Sequence, residues 1–149
     1  MKKLLLLFLL CNSIAYSQWT FKTVNNGFDE PYRIAYTDYN NDAMLKLENV
    51  DGEIAFYLQG GYTCDEEVMV DMAFLINGDY SRYSFTGAVN KTHDCVFFTW
   101  DLVGSVADQD FRDCRQLNIR INDTTCDTTM YTFNMSGSTL ALKYVQKTP

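Results

Sequence analysis

In the run Val68-Met69-Val70-Asp71-Met72-Ala73-Phe74-Leu75-Ile76, apolar and mixed positions alternate. Neighbouring side chains of an extended strand point to opposite faces. One face therefore carries Val68, Val70, Met72, Phe74 and Ile76, and the other carries Met69, Asp71, Ala73 and Leu75. Asn77-Gly78 follows, a dipeptide suited to the tight turn of a hairpin, and leads into a second run, Tyr80 to Phe85.

The same period-two signal recurs on both sides of this pair. Upstream lie Trp19 to Val24 (WTFKTV), then Tyr32, Ile34 and Tyr36 alternating with Arg33, Ala35 and Thr37. Met44 to Glu48 and Ile54 to Leu58 flank a stretch holding Asp51-Gly52, a further hairpin signal. Downstream, Val96 to Leu102 (VFFTWDL), then Leu117, Ile119 and Ile121, and finally Met130 to Met135 read as strands. Ser105 to Arg115 loses the alternation and reads as a short helix or irregular crossover. Ser138 is placed to cap a short closing helix over Thr139 to Val145, with Leu142 and Val145 facing the domain. The expected fold is all-β, an antiparallel β-sandwich of about eight or nine short strands with one crossover helix and one C-terminal helix. An up-and-down barrel is the alternative.

Residues 1–17 read as a cleavable signal peptide. Lys2 and Lys3 supply the positive start, Leu4 to Leu10 the apolar run, and Ala15-Tyr16-Ser17 the small residues at a cleavage site after Ser17. The apolar run is far shorter than the roughly 20 residues that span a bilayer. Leu10 stands before Cys11, where a lipid-attachment signal wants a small residue. The expected location is therefore secreted or periplasmic, with residues 18–149 forming one domain that is not embedded in a membrane.

Loss of the leader removes two lysines and no acid, which takes the net charge from -7 to -9. Such a chain repels phosphate backbones and anionic lipid surfaces, so nucleic acid is excluded as an expected partner. Four cysteines remain, Cys64, Cys95, Cys114 and Cys126, in a compartment where they can oxidise. Cys114 and Cys126 flank the Leu117–Ile121 strand and should lie roughly 20 Å apart, beyond the reach of a bridge. Cys64 and Cys95 fall at one end of the expected meander. The reading is one bridge from Cys64, to Cys126 or else to Cys95, with Cys114 reduced. A zinc site would need all four thiols, or three with His93, from scattered positions.

Trp19, then Leu117-x-Ile119-Arg120, then Phe133-x-Met135-Ser136-Gly137-Ser138-x-x-Ala141-Leu142 make the chain similar to a group of exported proteins. It resembles small exported β-sandwich proteins of bacteria and phages, loosely akin to the VasI group associated with type VI secretion. That resemblance implies fold and export and carries no catalytic residues with it.

Candidate chemistry is sparse. His93, the one histidine, sits two residues before Cys95, about 6–7 Å away if the chain is extended. That is too far for a base to activate a nucleophile. Asp71 and Asp101 are acids within otherwise apolar strands, and two such acids could serve glycoside hydrolysis. Asp38, Asn40 and Asp42 form a D-x-N-x-D run of hard oxygen donors, the first half of a calcium loop. Ala43 replaces its glycine and Asn49 its closing glutamate, and no other cofactor is implied. Tyr32, Tyr36 and Tyr39 offer an aromatic platform of the kind sugar-binding sandwiches use, and Tyr80 and Tyr83 follow a hairpin turn. Asn90, Asn122 and Asn134 match glycosylation sequons, which an Asn- and Thr-rich chain produces by chance. The expected function is a non-enzymatic exported binding domain for a protein or glycan. The alternatives are a small acid-dependent hydrolase acting on glycans, and a structural part of an envelope or virion assembly.

Overall fold

The computed structural model describes residues 18–147 except Tyr39, Asp51 and Tyr62, with backbone alone for residue 50 and residues 99–106. The signal-peptide segment 1–17 lies outside the described residues. Among the described residues nine strands form: β1 Trp19–Val24, β2 Tyr32–Thr37, β3 Met44–Val50, β4 Glu53–Gln59, β5 Glu67–Ile76, β6 Asp79–Val89, β7 Cys95–Thr99, β8 Gln116–Asn122 and β9 Thr129–Asn134. Two helices, α1 Trp100–Asp113 and α2 Ser138–Gln146, interrupt and close the series.

All nine strands belong to one antiparallel sheet in the order β1-β2-β3-β4-β7-β6-β5-β8-β9. The all-β reading holds, but the two separate sheets of a sandwich do not form. The reason lies in β7, which pairs with β4 along its whole length and with β6 through Ala88↔Phe97 and Val89↔Val96. That short junction divides the sheet into two wings without separating them. Gly87 sits at the junction, where a Cβ would come within 2.7 Å of Val96 Cγ1 and 2.9 Å of Val70 Cγ2.

The faces follow the alternation. Leu45, Leu47, Phe56, Leu58, Val68, Val70, Met72, Phe74, Val96, Phe98, Leu117, Ile119 and Phe133 all turn to one side and are buried. The helices, rather than a second sheet, cover that side. Phe111 of α1 packs edge-on against Trp19 and Phe56, while Ala141, Leu142 and Val145 of α2 enter the same core. Thr139 Oγ1 donates to Arg112 O at 3.0 Å and Asn49 Nδ2 to Val145 O at 2.8 Å, which tie α2 to α1 and to β3.

Two sequence expectations are corrected. The strand expected over Val96 to Leu102 stops at Thr99, and the helix begins at Trp100. Ala107, Phe111 and Cys114 are buried at spacings of a helical face, a signal that the aromatic, β-favouring VFFTW run masked. Ser138 does not cap α2. Gly137 does, at φ 92, and Ser138 is buried inside the first turn.

Candidate functional site

The face of the sheet opposite the helices carries a groove of about 390 Å³ over β5, β6, β8 and β9. Strand register explains it. Ser84, Asp71, Arg120 and Met130 form one row across the four strands, and Arg82, Ala73, Asn118 and Thr132 form the next. Tyr80, Leu75, Gln116 and Asn134 form the third. Ala73 is the small residue at the centre of this polar field, so the longer chains around it become walls and the methyl group becomes the floor.

Asp71 is locked in the upper row. Ser84 Oγ donates to its Oδ1 at 2.5 Å. Its Oδ2 accepts from Arg120 Nε at 2.9 Å, Arg120 Nη2 at 2.7 Å and Asn122 Nδ2 at 2.8 Å. The Ser84 bond, then those of Arg120 and Asn122, hold its carboxyl below the usual carboxylate range. A general acid needs the opposite shift. A group whose pKa is depressed by folding contributes stability above its unfolded value, near 3.9, and loses that contribution as pH falls through the folded value. Asp71→Asn is expected to cost about 1 kcal/mol at pH 7, and urea titrations of both proteins should converge as pH is lowered below about 4. A gap that stays constant with pH would contradict the ionised clamp.

Asp101 does not join it. That residue lies in the first turn of α1, on the helix-covered side of the sheet, whereas Asp71 faces the other side. Tyr80 and Tyr83 also part company. Tyr80 borders the groove and is 40% exposed. Tyr83 Oη donates to Asp110 Oδ2 of α1 at 2.7 Å, on the inner side.

Tyr32 and Tyr36 share the outer face of the other wing, as their parity requires, and both are half-buried. Tyr39 lies outside the described residues. Tyr36, Lys46, Tyr57, Phe97 and Ala88 align in one row there. Its polar groups serve one another: Tyr57 Oη donates to Glu48 Oε2 at 2.6 Å, and Lys46 lies 3.7 Å from the same oxygen and over the Tyr57 ring.

Asn40 and Ala43 close a two-residue turn, with Asn41 at φ 51 and Asp42 at φ 65, the geometry of a tight hairpin. Asn40 Nδ2 donates to Thr132 O of β9, so the side-chain amide is turned to a strand edge. Asp38 and Asp42 are exposed at the two sides of this turn. Residues Asn40 to Asp42 of the D-x-N-x-D run thus lie at the tip of the β2–β3 hairpin. His93 also occupies a turn, at φ 58, so the extended spacing to Cys95 does not apply.

Cys64 and Cys126 are joined, with Cα atoms 5.7 Å apart. Asp123 lies beside them, within 4.8 Å of both sulfurs. Its two oxygens accept from Cys64 N, Asp65 N, Thr125 N and Cys126 N. Burial alone would raise this carboxyl, but those four N–H groups outweigh it and lower the pKa. With the sulfurs bonded to each other, the arrangement is a clasp between two loops, whereas a zinc centre requires thiolates.

Cys95 and Cys114 are free and buried. Burial pushes the Cys95 thiol up to about 12, with Asp94 adding to it, and pushes Cys114 up to about 12 as well. Iodoacetamide at pH 8 is expected to leave both unmodified in the folded domain and to add two labels in denaturant. Four labels would show that Cys64 and Cys126 are not bridged.

The chain matches no known protein family, no curated protein and no solved structure. The groove's own chemistry therefore has to speak for the site. Most of its lining, Ala73, Arg82, Asn118, Arg120 and Met130, was not singled out as a site from sequence. Their signal was only that they occupy the outward parity of four strands, which says nothing of how those strands align.

Proposed function

We propose that this chain is a binding domain working outside the cytoplasm, and that it takes its ligand in the groove above Ala73. The carrying observation is a hollow lined by unspent side-chain donors. Arg82 enters no ion pair among the described residues and lies over the Tyr80 ring at 5.5 Å. Arg120 uses Nε and Nη2 on Asp71 and keeps Nη1. Buried polar capacity is normally satisfied within a protein; on a sheet face, such donors are available to a ligand. The saturated, ionised Asp71 supports binding over acid–base catalysis.

The extracytoplasmic part of this reading rests on the charge and apolar pattern of residues 1–17 and on the Cys64–Cys126 bridge. The resemblance read from Trp19, Leu117-x-Ile119-Arg120 and Phe133 to Leu142 points to the same location and assigns no activity. No described helix is long and apolar enough to cross a membrane.

Ala73→Leu tests the site. Leucine at this outer position fills the hollow without entering the core. It should abolish capture of glycan or protein ligands from a binding array, leave the unfolding midpoint within a few degrees, and leave a Lys46→Ala control on the other wing unaffected. Equal capture by Ala73→Leu and the parent chain would place binding elsewhere.

A further inference from the structure

The groove is an electropositive hollow on an acidic protein. Its lining holds two guanidinium groups, Arg82 and Arg120, and one carboxylate, Asp71, in a chain whose net charge is -7. Asp71 neutralises Arg120 through the 2.7 Å and 2.9 Å contacts, which leaves the Arg82 charge unanswered. Asn118 Oδ1 accepts from Gln116 Nε2 and from Thr132 Oγ1, both at 2.9 Å, so its carbonyl is occupied and its NH2 is left to donate. The unspent capacity of the site thus consists of donors carrying about one positive charge.

We infer that this groove binds a singly charged acidic sugar, a hexuronate unit of a carboxylated polysaccharide. Its carboxylate would meet Arg82 and the free edge of Arg120, its ring would lie against Tyr80, and the next ring of the polymer would reach Met130. The inference rests on the binding-domain reading above and goes further by naming the ligand class. Four observations carry it. A planar guanidinium fork matches a carboxylate in two parallel bonds. With Asp71 and Arg120 paired, the one unanswered charge is that of Arg82, which matches one negative charge on the ligand. Strands β5 and β8 are each paired on both sides, so the floor offers no backbone ladder to an extended peptide. Recognition there must be by side chains alone. Finally, Tyr80 and Met130, 40% and 60% exposed, supply an aromatic and a thioether surface for the apolar face of a pyranose. A volume of about 390 Å³ is near the lower end for small-ligand sites, suited to one or two rings.

The test is calorimetric titration of the domain from Gln18 onward with short oligogalacturonate, and with the same oligomer as its neutral methyl ester. Saturable binding of the acid form is expected, at least tenfold weaker for the ester and for Arg82→Ala, and lost in Ala73→Leu. It should also weaken severalfold as salt is raised, since a partly exposed charge contact is screened. Equal binding of the ester, or no effect of Arg82→Ala while Ala73→Leu still abolishes binding, overturns the charge assignment and leaves the groove as the binding site. Uronate binding that survives Ala73→Leu overturns the site itself. Preference for a sulfated galactan, equal affinity for a glutamate peptide of the same charge, or no binding of the acid form each overturns the uronate assignment.

Discussion

Replacing Cys64 and Cys126 together by serine is expected to lower the unfolding free energy by about 4 kcal/mol, the largest effect of any change considered. The bridge spans a sequence separation of 62 residues. In the chain-entropy account, closing a loop of that length removes about 4 kcal/mol of conformational freedom from the unfolded chain. The span encloses β5, β6, β7, α1 and β8, so it crosses both the junction between the wings and the strands that build the groove. The native geometry asks little of the bond, because Asp123 already gathers the N–H groups of Cys64, Asp65, Thr125 and Cys126 on one carboxylate. Urea unfolding of the double variant should show the midpoint falling at unchanged slope, with a melting temperature lower by roughly 10–20 °C. Reduction of the parent chain should reproduce that curve. A loss under about 1 kcal/mol would mean that the clasp of hydrogen bonds constrains these loops by itself.

Gly60→Ala is expected to cost about 3 kcal/mol or more, from two sources that a control can separate. Gly60 has φ +98, where an L side chain is strained, and a Cβ there would stand 2.1 Å from Asp42 O. That oxygen belongs to the backbone of the Asn40–Ala43 turn, held by reciprocal bonds of 2.7 Å and 3.1 Å. The same turn reaches β9 through Asn40, so it cannot retreat without loosening the contact between the two wings. Gly52 has a similar φ, +89, with nothing within 4 Å of its would-be Cβ. Gly52→Ala should therefore show the backbone strain alone, about 1 kcal/mol. Comparable losses at the two positions in parallel thermal melts would remove the collision from the explanation.

The strands were legible because alternation is written residue by residue. β1 and β2 begin and end where Trp19–Val24 and Tyr32–Thr37 alternate, and Asn77-Gly78 turns with φ 52 and 98 as its residues demand. Misreadings came where local preference and tertiary context diverged. Trp100 follows a β-favouring run, yet the helix starts there because the chain must cross the inner face to reach β8. The hairpin between β2 and β3 was not legible in the spacing of Asp38, Asn40 and Asp42 either, because Asn41 and Asp42 take positive φ and Asn40 reaches β9.

By itself, the sequence determined the alternation of most of the strands and which side chains within each strand share a face. Those properties depend on backbone geometry over a few residues, and they gave way only where the crossing to β8 overrides local preference, at Trp100. Only the tertiary structure decided that β7 joins the wings into one sheet, that helices cover its inner side, and that Cys126 is the partner. It also decided the site. Ala73, Arg82 and Arg120 come together because β6, β5 and β8 pair in one particular register. Core packing and loop closure across the whole domain set that register, and a slip of one residue would turn every one of these side chains to the other face.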